Sequence, residues 1–146
     1  MILVDTSVWI NHLRVPSKLL AQLLDLEQVV IHPFVVGELS CGNLVNRKEI
    51  IALLHSLPTA PKADDDEILF FIERHRLMGQ GLGLVDMHLL ASATIAGDSI
   101  WTADKGLRLA AGHLGIEFGQ QPLSPRSDKG KNVPPSELVF PGSGDP

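Results

Sequence analysis

The chain has 146 residues, 45% of them hydrophobic and 20% charged, with a net charge of −5 at pH 7. That length and balance describe one globular domain with a real core, and exclude a membrane protein, since no apolar run approaches the length of a span. The single cysteine, Cys41, excludes an intrachain disulfide and makes a reducing cytoplasm the expected setting.

The chain opens Met1-Ile2-Leu3-Val4-Asp5-Thr6-Ser7. Ile2 to Val4 form a short continuous apolar run, which suits a strand buried on both faces of a parallel sheet. Asp5 and Asn11 interrupt the apolar start and no basic region precedes it, so it does not read as a signal peptide. Asp5 follows the strand directly, where open α/β sheets place their ligands. The same Asp-Thr-Ser triplet also suits the cap of the next helix, whose apolar residues are Val8, Trp9, Ile10 and Leu13.

Ser17 can cap a second helix carrying Leu19, Leu20, Leu23 and Leu24. Val29 to Ile31 read as a second buried strand, and Pro33 suits the first turn of the helix that follows. That helix carries Glu38 among apolar neighbours, where an acid must reach solvent or find a partner. Cys41 has no base beside it and reads as a small buried residue. A further amphipathic helix is expected over 47–57.

The acidic run Asp64 to Glu67 leads into another helix, whose first-turn acids complement the helix dipole. Arg74, His75 and Arg76 make a modest basic patch at its far end. Gly79, Gly81 and Gly83 mark a turn that lacks the preceding strand of a phosphate-binding fingerprint. The segment Leu84 to Ala96 is rich in small residues and suits a closely packed helix, with Asp86 near its start and Gly97 after its end. His88 on it is a weaker candidate ligand or base.

Ser99 to Thr102 read as a third buried strand, again followed by a carboxylate, Asp104. A helix with Leu107, Leu109, Ala110 and Ala111 comes next, and Ile116-Glu117-Phe118 suits a short last strand. We therefore place one domain over 1–121. The remainder, 122–146, holds six of the ten prolines and reads as a Pro/Gly/Ser-rich mobile tail.

Strands alternating with helices imply a three-layer α/β/α domain with a mostly parallel sheet of about four to five strands. In that arrangement Asp5, Glu38, Asp86 and Asp104 can meet at the carboxyl end of the sheet. Carboxylates at about 4 Å repel by around 4 kcal/mol at an effective dielectric near 20, so protonation or a divalent cation must relieve them. Oxygen donors without clustered cysteine or histidine suit Mg2+ or Mn2+ rather than zinc. Without those four acids the rest of the chain carries only −1, so acidity does not exclude an RNA substrate. The lack of tyrosine and the few aromatics disfavour a base-stacking platform for nucleic acid.

The segments Leu3-Val4-Asp5-Thr6-Ser7, Gly37-Glu38-Leu39-Ser40-Cys41-Gly42, Asp86 to Ala93 and Trp101-Thr102-Ala103-Asp104 resemble the four acidic motifs of PIN-domain nucleases. Length, motif order and the Glu-Leu-x-x-Gly form are most similar to the VapC-type toxins of bacterial toxin–antitoxin pairs. The resemblance covers about residues 1 to 120. It implies a Mg2+- or Mn2+-dependent endoribonuclease that leaves a 5′-phosphate and a 3′-hydroxyl, with Asp5, Glu38, Asp86 and Asp104 as metal ligands. Ser7 and Thr102 would support them through their hydroxyls. It also implies a homodimer neutralised by a small VapB-type antitoxin. The alternative is a catalytically idle PIN-like module that binds protein. A haloacid-type phosphatase would need a second aspartate where this chain has Ser7.

Overall fold

The structure, a computed structural model, describes residues 1–119. The tail expected over 122–146 lies outside the described residues. The elements run β1 (Ile2–Val4), α1 (Thr6–Arg14), α2 (Lys18–Asp25), β2 (Val29–Val30), α3 (Pro33–Ser40), α4 (Arg47–Ser56), α5 (Asp65–His75), α6 (Leu84–Ala96), β3 (Ser99–Trp101) and α7 (Lys105–His113). The chain divides into two compact units. Met1–Ile10 and Val29–Glu117 form one, and Asn11–Gln28 belong to the other. In the latter, Ser17 caps α2 by accepting from the Leu20 amide at 3.2 Å. The Ser17 amide donates to His12 Nδ1 at 2.9 Å.

The first unit is built on a parallel sheet of order β2-β1-β3. Its middle strand is the apolar Ile2-Leu3-Val4 run, buried throughout. A strand flanked on both edges cannot alternate polar and apolar residues, which is why this one reads as an unbroken apolar stretch. Three strands form, rather than the four to five expected. Thr59 and Glu117 extend the edges only as isolated parallel bridges, to Ile31 and Ile100. Of the expected last strand, Ile116-Glu117-Phe118, only Glu117 pairs, through that bridge.

α6 and α7 pack on β3, and α5 packs on α6. From Met87 to Ala93 every residue of α6 is buried, so its alanines and serine permit close approach on all sides. Gly97 ends the helix at φ 73°, in the left-handed region where a side chain would be strained. Cys41 is exposed rather than buried, because α3 ends one residue before it and leaves it as the C-cap.

Local chemistry sets the entry of α5. Asp64 accepts from the Glu67 amide and Glu67 accepts from the Asp64 amide, both at 2.8 Å. This reciprocal cap satisfies two amide donors that the helix itself leaves unpaired. Asp64→Ala should cost about 1 kcal/mol, seen as a fall of roughly 4 °C in Tm by thermal denaturation followed with circular dichroism. An unchanged Tm would show that α5 is held by packing alone.

Candidate active site

Asp5 follows β1 and is buried. Its Oδ2 accepts from the Ser7 hydroxyl at 2.8 Å and from the Thr102 hydroxyl at 2.7 Å. The carboxylate is thus held by two hydroxyls, Ser7 on the first turn of α1 and Thr102, 97 positions away. The same hydroxyls continue into the β3–α7 turn, where Ser7 Oγ accepts from the Ala103 amide and Thr102 Oγ1 from the Asp104 amide, each at 3.0 Å. Ser7 and Thr102 thus join the end of β1 to the end of β3 and orient Asp5 between them.

The other three acids sit on helices or at their starts. Asp104 is the N-cap of α7, and its Oδ2 accepts from the Leu107 amide at 2.8 Å. Asp86 lies in the first turn of α6 and its Oδ2 accepts from the Gly83 amide at 3.0 Å. Glu38, on α3, accepts through Oε1 from the Thr6 hydroxyl at 2.6 Å. The sequence offers Thr6 only as part of the Asp-Thr-Ser triplet that suits the cap of α1. Its pairing with an acid 32 positions on could not be read from spacing.

Burial raises the pKa of Asp86, the Gly83 amide works against that rise, and Asp5, Asp104 and Glu38 add to it. The four acids of the sequence motifs therefore share one electrostatic neighbourhood. Yet among the described residues no three acidic, histidine or cysteine side chains stand close enough to hold an ion as they are. Both observations follow from the same physics. Carboxylates without a counter-charge repel one another, and hydrogen bonds to Thr6, Gly83 and Leu107 hold three of them by one oxygen each. In all four the second oxygen makes no hydrogen bond among the described residues. Hard oxygen donors on several carboxylates are the donor chemistry that suits Mg2+ or Mn2+.

His88 does not join them. It is buried, its ring lies edge-on to Phe34 at 4.7 Å, and its Nδ1 has no hydrogen-bond partner among the described residues. Its pKa is lowered first by burial and then by Lys62, and the carboxylate that opposes this is Asp65 rather than one of the four. Sequence reading passed over His32, which is fully buried. Its Nδ1 accepts from the Phe34 amide at 3.0 Å, capping α3, and its Nε2 meets Ser92 Oγ at 3.1 Å. The only local signal was its place directly before Pro33.

Comparison with known proteins bears on this arrangement. The family model described as PIN domain matches residues 2–112. This chain belongs to the PIN-domain family. The PIN-domain chain is 42% identical over 122 residues to Ribonuclease VapC32 of Mycobacterium tuberculosis, in strains CDC 1551 / Oshkosh and ATCC 25618 / H37Rv, spanning 83% of this chain and 98% of each relative. The VapC resemblance read from the four motifs is thereby borne out. A solved structure, that of FitAcB from Neisseria gonorrhoeae, superposes with a TM-score of 0.51 at 24% identity, covering 77% of this chain and 94% of that one. At that identity it supports the PIN-domain fold alone.

Proposed function

We propose that this PIN-domain protein is a VapC-type endoribonuclease that hydrolyses RNA phosphodiester bonds at Asp5, Glu38, Asp86 and Asp104. The observation that supports the reading is the joining of Asp5 and the Asp104 turn by the Ser7 and Thr102 hydroxyls at the ends of β1 and β3, with Asp86 in the same electrostatic neighbourhood. Four like charges at one sheet edge are unfavourable for stability, and an idle protein-binding module has no use for them. The kinship with a protein named as a ribonuclease supports the same reading.

In this reading Asp5, Glu38, Asp86 and Asp104 would hold Mg2+ or Mn2+. The bound cation supplies charge stabilisation at the phosphoryl group and an activated water. Ser7 and Thr102 support the set by fixing Asp5 through Oδ2. Thr6 fixes Glu38 in the same way from the start of α1. Cation binding also offsets the repulsion that four carboxylates exert on RNA phosphate. We assign a folded RNA as substrate, recognised by shape and backbone, with a 5′-phosphate and a 3′-hydroxyl as the new ends. A cognate VapB-type antitoxin restrains the enzyme, which acts as a homodimer in the cytoplasm. No helix among the described residues is long and apolar enough to cross a membrane.

The test is a transcriptome-wide map of new 5′-phosphate ends after a short pulse of expression, for the intact chain and for Asp5→Asn. Sharp new ends with the intact chain alone are expected, and they name the RNA. Identical maps from two folded proteins free of antitoxin would leave the protein-binding module as the better reading.

A further inference from the structure

His32 and Ser92 are both fully buried and stand apart from the four acids, yet they join the helices that carry Glu38 and Asp86. His32 caps α3, and Ser92 lies within α6. The Phe34 amide donates to His32 Nδ1 at 3.0 Å, so the ring proton lies on Nε2 and is donated to Ser92 Oγ at 3.1 Å. One ring thereby ties the start of α3 to a residue 60 positions away.

Further contacts follow the same pair of helices. Phe34, just after His32, meets the His88 ring edge-on at 4.7 Å, and His88 precedes Ser92 by one helical turn. Glu38, six residues after His32, acts electrostatically on Asp86, six residues before Ser92. Each advance along α3 is matched by a retreat along α6. The two helices therefore run in opposite senses along one seam, with the buried hydrogen bond at one end and two of the four acids at the other. Each acid lies about 9 Å along its helix from that bond, at roughly 1.5 Å per residue.

From Leu89 to Ala93 every residue of α6 is buried, and Ser92 is the one polar side chain among them. Apolar contacts are non-directional and set position only loosely. A slide of one residue would displace a helix by about 1.5 Å, whereas Mg2+ demands near-ideal octahedral geometry with oxygens at about 2.1 Å. A directional hydrogen bond admits one register, and losing it leaves a buried polar group unpaired.

We infer that His32 is a positioning residue for the acid site: its bond to Ser92 sets α3 along α6 and so fixes Glu38 against Asp86. The inference rests on the cation reading above and adds to it a residue remote from every proposed ligand. It acts from the opposite end of α3 to Thr6, which holds Glu38 directly.

Calorimetric titration of the metal-free full chain with Mn2+, with Tm measured on the same samples, tests this. Glutamine can place its amide where Nε2 lies and keep Ser92, but gives up the α3 cap. Asparagine keeps the cap and falls short of Ser92. Both substitutions should lower Tm. Only His32→Asn should weaken Mn2+ binding, by about tenfold, and Ser92→Ala, which removes one buried oxygen, should match it. His32→Gln should bind Mn2+ as the intact chain does. Equal affinities in all four proteins, or affinities that follow Tm instead of the bond to Ser92, would overturn the inference alone. An intact chain that takes up no Mn2+ would overturn the cation reading with it.

Discussion

Asp86→Asn is expected to lower RNA cleavage by roughly a thousandfold while making the metal-free protein more stable. The two effects have one origin. Asp86 is the acid whose pKa is raised by burial and by Asp5, Asp104 and Glu38 together, so its charge works against folding when no cation is present. Asparagine keeps an oxygen for the Gly83 amide, which now donates to Asp86 Oδ2, and removes the charge. Relief of like-charge repulsion at a partly exposed site is worth about 1 kcal/mol, or roughly 4 °C in Tm for a domain of this size. The same change removes a ligand from the proposed cation site, where several kcal/mol of transition-state stabilisation is at stake, and about 4 kcal/mol is a factor of a thousand. Cleavage of labelled RNA with added Mg2+ or Mn2+ and thermal denaturation in chelator measure both halves. A variant that loses stability and activity together would point to a structural role for Asp86.

Acidification from pH 6.5 towards pH 4 should destabilise the fold, with His32 as the main titrating cause. Its ring is fully buried, and its pKa falls from 6.5 to about 4, through burial first and then through His88 and Lys62. The hydrogen bonds agree with a neutral ring. Nδ1 accepts from the Phe34 amide, so the proton sits on Nε2, where it can be donated to Ser92 Oγ. Above pH 6.5 neither state protonates His32 and its contribution to stability is fully present. Below that value the unfolded chain takes up a proton that the folded chain refuses, so stability falls with pH and levels off only below the folded pKa. The span corresponds to about 3 kcal/mol at most. Urea denaturation across this range should show the slope for the intact chain. His32→Asn, which can still cap α3 but cannot titrate, should flatten most of it. Equal slopes in the two proteins would move the effect to other groups, His88 first.

The parts of this molecule legible in its sequence are those set by near neighbours. The Ile2-Leu3-Val4 run became the middle strand, Pro33 opens α3, and Gly97 closes α6. Asp5, Asp86 and Asp104 were legible because each stands beside a recognisable break, a strand end for Asp5 and Asp104 and a helix start for Asp86, whereas Glu38 was legible as an acid among apolar helical neighbours. What stayed hidden was set by residues far apart in sequence. His32 reads as a polar residue at a strand end until Ser92, 60 positions away, gives it a partner. Thr6 meets Glu38 through tertiary packing, and only the packed sheet reveals that Glu117 reaches Ile100 for a single bridge. The reading of Cys41 as buried failed by one residue at a helix end, where boundaries are least determined by local pattern.

The strand made first is the one at the centre of the sheet, and it pairs with β3, nearly a hundred residues later. On the ribosome, Ile2 to Val4 therefore wait without their full set of neighbours until residues 99–101 have left the exit tunnel. Contacts of such long range form late, and the Thr102 hydroxyl that steadies Asp5 arrives later still. An unfinished chain carries the first acid without its clamp and lacks the last one altogether. Synthesis of the first acid and completion of the proposed site are thus separated in time by the topology of the sheet.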